Sequence, residues 1–269
     1  MHLPLPADAT GRRAVLAAAG LVLVTVIALV ARLLDPLSLL VTVGGALAVG
    51  RATFPAERLA ATWGHLRAAV APDPDPEPLL ASLKRLARIH RVEGLPALER
   101  AAAREDDAFL RRAIVLGVDT DDPELVNELL LVEAQRETAD IEAARQVLVT
   151  FGKLFPAFGL IGTLFGLVVL LRNLSGGDLG AIAPGLGLAV QTTLYGAFLS
   201  NVVALPLATR LHAYAVRRGR RLQMTIDGTL LVLRGEYGGQ IERMLRAHLG
   251  TESTRRSHVG TIRLAERAA

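Results

Sequence analysis

The amino-acid sequence predicts an all-α, polytopic membrane protein with four transmembrane helices and a helical cytoplasmic insert. Three observations predict this fold class: an apolar composition, four uncharged runs, and a charge-rich stretch between the second and third runs. Of the 269 residues, 51% are hydrophobic and 21% are charged, and the mean hydropathy is +0.39. Soluble domains with that share of charge are rarely so apolar, so we expect the chain to reside in a membrane.

Four apolar runs are candidate spans, because a spanning helix needs about 20 residues. They are Ala14–Ala31, Pro36–Gly50, Leu154–Leu171 and Leu179–Thr209. The second run extends to Pro55 with only Arg51 interrupting it, and an arginine can snorkel to the interface. Arg12 and Arg13 would also suit a signal peptide. No convincing small-residue cleavage site follows before the second apolar run, so we expect a retained transmembrane hairpin over 14–55.

The placement of Lys and Arg predicts the orientation of the spans. Segment 51–146 carries 13 Lys/Arg and the tail 210–269 carries 12, whereas Arg32–Asp35 and Arg172–Asp178 hold one arginine each. The positive-inside rule therefore places both termini in the cytoplasm, including residues 1–13. The basic residues flank apolar runs, which favours this topological role over nucleic-acid binding. The chain has no cysteine, so disulfides and thiolate metal sites are excluded.

Residues 56–146 are predicted to form the cytoplasmic helical domain. Apolar residues recur at helical spacing after the proline-rich linker Pro72–Pro78, and this helix should end near Gly94. Two shorter helices are expected over Leu95–Arg104 and Ala108–Val118.

A longer helix is predicted to begin at Asp122 and Pro123, which suit the N-cap and the first turn. No helix breaker follows before Gly152, so we expect this helix to continue into the third span. The tail 210–269 should form two amphipathic helices separated at Gly235–Gly239 and become disordered after about residue 250.

The hairpin 147–209 carries the residues that indicate chemistry. Glycines recur at spacings of three and four on its helices, which favours close helix packing in lipid. Pro156 and Pro206 lie inside helical stretches, where a proline removes one backbone hydrogen bond. Thr192 and Thr193 point about 100° apart, so only one should share a given face. The alternative reading is packing alone, because a threonine can bond its own helix carbonyl.

Acidic residues are absent from all four runs. Intramembrane carboxylates mark proton and cation paths, so this chain looks like half of an ion path that lacks its carboxylate. A partner would then have to supply the acid. The sequence also has no HExxH, GxSxG, P-loop or paired-carboxylate pattern, so we do not expect an enzyme.

Several segments resemble one known family in its own order. They are DPLSLLVTVGGALAVGRATFP (35–55), RVEGLPALE (91–99), DDAFLRRAIVLGVDTDDPELV (106–126), PAFGLIGTLFGLVVLL (156–171), APGLGLAVQTTLYGAFLSN (183–201), LPLATRL (205–211) and DGTLLVLRGEYGGQIERML (227–245). Together they resemble the A-subunit of bacterial flagellar stators, the MotA family, within the broader MotA/TolQ/ExbB group of proton channels. TolQ and ExbB proteins have three spans, so the predicted N-terminal hairpin favours the MotA branch.

The resemblance implies roles for individual residues by position. Thr163 and Thr193 match positions that face the ion site, and Thr192 and Tyr195 lie on the same candidate ion path. Pro156 and Pro206 match prolines that couple ion flow to conformational change. Arg91 and Glu99 match cytoplasmic charges that face the rotor protein.

The resemblance also implies partners and location. The A-subunit would form a homopentamer around a dimer of MotB-like B-subunits, whose single span supplies an intramembrane aspartate. Transported H⁺ or Na⁺ would be the only small species, with no cofactor, and the expected location is the bacterial inner membrane. Threonine at both 163 and 193 resembles sodium-type stators more than proton-type ones, while Gln191 and Lys153 depart from the family pattern.

Two other functions fit the same residues. One is a TolQ/ExbB-like or other non-flagellar ion-driven motor subunit. The other is a membrane scaffold without ion flow, in which the threonines and prolines only pack helices.

Overall fold

The computed structural model describes residues 35–72, 75–120, 122–175 and 182–248. Throughout these ranges the chain forms helices with short connections and no β-strand, which confirms the all-α prediction. The helices are α1 (Pro36–Thr53), α2 (Ala56–Val70), α3 (Glu77–Glu93), α4 (Leu95–Ala102), α5 (Ala108–Asp119), α6 (Pro123–Ser175), α7 (Ile182–Leu233) and α8 (238–248).

The chain divides into two compact units. The span unit comprises the described residues of Met1–Leu59 and Gln146–Ala208, and the insert unit comprises those of Ala60–Arg145 and Thr209–Ala269. The described part of the tail therefore belongs to the same unit as the insert.

Three helices of the described chain, α1, α6 and α7, are long and apolar enough to cross a membrane. The first predicted span, Ala14–Ala31, lies outside the described residues, as do the N-terminal residues 1–13 and the tail beyond residue 248. Helix α1 begins where Asp35 accepts a 2.6 Å hydrogen bond from the Ser38 N–H and Pro36 occupies the first turn.

Helix α6 confirms the predicted passage from the insert into the third span. Its start is fixed by Asp122, whose carboxylate accepts a hydrogen bond of 2.9 Å from the Glu124 N–H. It then runs unbroken for 53 residues to Ser175, with Pro156 in its interior.

Helix α7 continues the fourth predicted span into the tail. It continues past Thr209 as far as Leu233, so the first predicted tail helix is an extension of the fourth span. This extension contains Gly228. A glycine inside a helix lowers helix stability by about 1 kcal/mol relative to alanine, but close packing can offset that loss. At Gly228, for example, the helix lies so close to Leu83 that a Cβ would be 2.4 Å from its Cδ1 atom. The predicted break is present at Gly235, where φ is 71°.

The insert unit is held together by leucine-rich contacts between the insert and the tail. The larger buried cluster combines residues of α3 to α5 with residues of α7 and α8, among them Leu83, Leu86, Leu98, Ile114, Met224, Val232, Ile241 and Leu245. A second cluster places Phe109 and Leu130 against Leu222 and Ile226. Each fully buried aliphatic or aromatic side chain contributes about 1.5–3 kcal/mol.

A charged contact reinforces this association. Asp107 accepts backbone hydrogen bonds at the start of α5, and its carboxylate also pairs with Arg221 of α7 at 3.2 Å. Burial raises the pKa of Asp107, but the hydrogen bonds from Leu110 and Arg221 outweigh burial and hold that pKa below its ordinary value. Asp107 therefore remains ionised at neutral pH and ties the tail to the insert.

Candidate functional site

Glycines bring α6 and α7 into close contact within the span unit. A Cβ at Gly166 would lie 2.5 Å from the Gly185 carbonyl oxygen, and one at Gly196 would lie 2.6 Å from the Phe155 carbonyl oxygen. Along these contacts the residue numbers rise on α7 as they fall on α6, so the two helices run antiparallel. Small residues permit such backbone approach, which confirms the predicted packing role of these glycines.

Thr163 and Thr193 face each other across this helix contact. Their hydroxyl oxygens lie 2.5 Å apart, within hydrogen-bond distance. The carbonyl oxygen of Ala189 is 3.3 Å from the Thr163 hydroxyl and 3.2 Å from the Thr193 hydroxyl. The Thr163 hydroxyl also lies 3.0 Å from its own helix carbonyl at Gly159. The structure therefore brings together the two threonines that the sequence singles out.

The hydroxyl pair is accessible from outside this chain. Thr163 is half-buried and Thr193 is exposed, and the surrounding surface is apolar, with Leu160, Val190 and Leu194 exposed. Each hydroxyl has one proton to donate and two lone pairs that accept. The cluster thus offers neutral oxygen ligands to a cation or to a protonated acid, but it supplies no negative charge.

Thr192 occupies a different environment from Thr193, as the 100° turn between neighbouring helical residues predicts. It is 0% exposed, and its hydroxyl donates to its own helix at Leu188 over 2.9 Å. Its backbone carbonyl accepts a hydrogen bond of 3.4 Å from Thr42 of α1. Thr192 therefore lies in the packed interior among α1, α6 and α7. Its hydroxyl is also 3.1 Å from the Ala189 carbonyl oxygen, the same oxygen that the hydroxyl pair contacts.

Tyr195 and Gln191 link α7 to the start of α1. The Tyr195 hydroxyl accepts a hydrogen bond of 2.9 Å from the Asp35 N–H, and the Ser38 hydroxyl donates to Gln191 Oε1 over 3.3 Å. Hydrogen bonds from the Ser38 side chain and backbone lower the pKa of Asp35. Asp35 thus serves as an ionised helix cap at the start of the span.

The two prolines lie on the same pair of helices. Pro156 is an exposed residue inside α6, and Pro206 follows a π-helical segment of α7, Leu199–Ala204. A second π-helical segment, Leu40–Gly44, lies in α1. Lys153, one turn before Pro156, is also exposed.

Arg91 and Glu99 lie in the insert unit on either side of Gly94, where φ is 79°. Both side chains are exposed. The Arg91 guanidinium carbon is 3.5 Å from the centroid of the Tyr237 ring, a cation–π contact to the turn that precedes α8. The structure places both charges on the surface, where a partner can reach them.

Sequence reasoning assigned no role at the site to Asp35, Ser38 or Ser200, although Ser200 is one of the polar residues of the fourth span. Ser38 and Asp35 could have been found from the Asp-Pro pair, which is typical of a helix start. Ser200 carries no local signal, because its hydrogen-bond partner lies 48 residues away in the chain.

Comparison with known proteins places this geometry in a family. Residues 101–224 match the MotA/TolQ/ExbB proton channel family, which is a channel family rather than an enzyme family. The chain is 32% identical to chemotaxis protein PomA of Vibrio alginolyticus over 216 residues, covering 80% of this chain and 84% of PomA. It is also 32% identical to motility protein A of Aquifex aeolicus (strain VF5) over 221 residues, covering 80% of this chain and 85% of that protein.

Solved structures support the fold. The C. jejuni MotAB structure matches with a TM-score of 0.74 at 21% identity, covering 87% of this chain and 92% of that chain. The flagellar MotAB stator complex from Bacillus subtilis matches with a TM-score of 0.73 at 23% identity, covering 83% and 88%.

Proposed function

The chain belongs to the MotA/TolQ/ExbB proton channel family, and we propose that it is the A-subunit of an ion-driven rotary stator. One observation carries this proposal. Two threonine hydroxyls converge on an accessible face of spans that contain no carboxylate. Polar oxygens without a charge of their own suit a site that is completed by an acid from another chain.

The acid would come from a MotB-like B-subunit with one span and one intramembrane aspartate. The solved relatives are described as MotAB complexes, which supports a partner of this kind. The aspartate would lie beside Thr163 and Thr193, whose hydroxyls would help to hold a sodium ion or to bond the protonated acid. Thr192 and Tyr195 would support this face indirectly, since their hydrogen bonds hold α1 against α7.

Ion binding would drive motion through the charge of the aspartate. Neutralising a carboxylate removes a membrane cost of about 2.5–3.5 kcal/mol on insertion scales. Each ion that crosses a potential of 100 mV releases about 2.3 kcal/mol. The membrane cost of the carboxylate charge and the free energy released per ion are of similar size. The passage of one ion can therefore drive one step, in which the aspartate detaches from one A-subunit of the ring and binds the next.

The assembly would be a pentamer of this chain around two B-subunits in the bacterial inner membrane, with both termini in the cytoplasm. The insert unit would deliver each step to a rotor protein. Arg91 and Glu99 would contact that rotor, which is consistent with their exposure. Pro156 and Pro206 would set the bend of the two spans that respond to the ion.

The architecture is tested by co-expressing the chain with a candidate single-span partner, purifying the particle and viewing it end-on by cryo-electron microscopy. We expect five copies of this chain around a central density of two helices. A control expression without the partner should not yield that central density. A ring of different stoichiometry, or the same ring with an empty centre in the presence of the partner, would contradict the proposed assembly.

A further inference from the structure

One buried hydrogen bond connects the two helices that carry the prolines. In an α-helix each backbone N–H donates to the carbonyl four residues earlier, and proline has no N–H. Pro156 therefore leaves the carbonyl of Gly152 without its usual donor. In a membrane such a carbonyl costs several kcal/mol unless another group satisfies it.

Ser200 of α7 supplies the missing donor. Its hydroxyl donates to the Gly152 carbonyl oxygen over 2.6 Å, and the serine is 3% exposed. Gly152 is itself buried against α7, where an added Cβ would lie 3.0 Å from Leu205 Cδ2. Gly152 has no side chain, so α7 can approach closely at this point. Pro156 has no N–H, so the Gly152 carbonyl is free to accept the Ser200 hydroxyl.

Ser200 also contacts the turn that precedes the second proline. It lies in the π-helical segment Leu199–Ala204, and its carbonyl accepts the backbone N–H of Leu205, the residue directly before Pro206. π-helical segments often mark functional positions in helices. One residue therefore bonds through its side chain to the carbonyl that Pro156 leaves without a backbone donor, and through its backbone to the residue before Pro206.

We propose that Ser200 is a positioning residue that couples the two prolines. While its hydroxyl bonds Gly152, the part of α6 around Pro156 and the π-helical segment of α7 are held in one arrangement. If that bond breaks, both helices lose the restraint together. The consequence for ion flow rests on the proposed stator function, whereas the coupling itself is a property of this hydrogen bond.

A double-mutant cycle tests the coupling in the purified full-length complex. Ser200→Ala should lower the thermal midpoint by about 2–4 °C, the shift that the loss of one buried hydrogen bond is expected to cause. In the Pro156→Ala background, Ser200→Ala should lower the thermal midpoint by much less. Replacing the proline restores a backbone N–H that can reach the Gly152 carbonyl, so that carbonyl keeps a donor. Thr150→Ala is the matched control, since the Thr150 hydroxyl bonds its own helix at Gln146, and it should cost the same in both backgrounds. Equal costs for Ser200→Ala in both backgrounds would overturn the coupling.

A second measurement separates positioning from packing. In reconstituted vesicles, Ser200→Ala should reduce ion flux about tenfold, whereas Ser200→Thr keeps the donor and should retain most of the flux. If Ser200→Ala lowered only the thermal midpoint and left the flux unchanged, Ser200 would be structural and the inference would fail. If the wild-type complex passed no ion at all, the stator function would fail, while the thermal cycle would still decide the coupling.

Discussion

Thr193→Val should lower the affinity of the complex for its ion about 10- to 150-fold. The substitution keeps the β-branched shape but removes a hydroxyl that the account places beside the ion, and hydrogen bonds to charged groups contribute about 1.5–3 kcal/mol. The measurement is ion flux into vesicles as a function of ion concentration. Thr163→Val should also lower the affinity for the ion. The double variant should lose less affinity than the two single losses combined, because the two hydroxyls bond each other.

Two matched variants make this result interpretable. Thr193→Ser keeps the hydroxyl and should retain most of the affinity. Thr150→Val removes a hydroxyl that bonds only its own helix at Gln146, and it should leave the concentration dependence unchanged. A wild-type concentration dependence in Thr193→Val would mean that the hydroxyl pair does not contact the ion.

Gly166→Ala should lower the thermal midpoint of the complex by about 3–10 °C. The new Cβ would lie 2.5 Å from the Gly185 carbonyl oxygen and 2.7 Å from the Ala189 backbone nitrogen, so α6 and α7 would have to separate. Overpacking of this kind costs about 1–3 kcal/mol or more, and backbone atoms cannot move aside as a flexible side chain can.

Gly187→Ala is the matched control on the partner helix. Apart from the neighbouring backbone of α7 itself, no atom of the described residues lies within 4 Å of a Cβ at that position, and alanine is the better helix former by about 0.5–1 kcal/mol. The control should therefore be neutral or slightly stabilising. If both alanine variants behaved alike, the close α6/α7 contact would not be present in the assembled protein.

Helix starts and long uninterrupted helices could be predicted because their signals are local. Asp122 and Pro123 mark the start of α6, and no helix breaker follows before Gly152. The end of the fourth span was less predictable. Hydropathy falls after Thr209, but the helix continues to Leu233, because Leu222 and Ile226 pack into the core of the insert unit.

The candidate site was predictable in its residues but not in its connections. Helical geometry separates Thr192 from Thr193, yet only the structure reveals that Thr193 meets Thr163 while Thr192 meets α1. The bond from Ser200 to Gly152 joins residues that are 48 positions apart, and no periodicity relates them. Pairings of this kind depend on how α6 and α7 pack, which the sequence pattern of either helix alone does not specify.

The central claim is that this chain passes ions only together with an acid from a partner. The most direct test is ion flux through vesicles that contain the purified complex, driven in turn by a proton gradient and by a sodium gradient. We expect flux in one of the two gradients. This flux should be lost when the partner's intramembrane aspartate is changed to asparagine, and it should be absent when this chain is reconstituted alone. Flux from this chain alone, flux that survives the asparagine substitution, or an intact complex that passes neither ion would contradict the central claim.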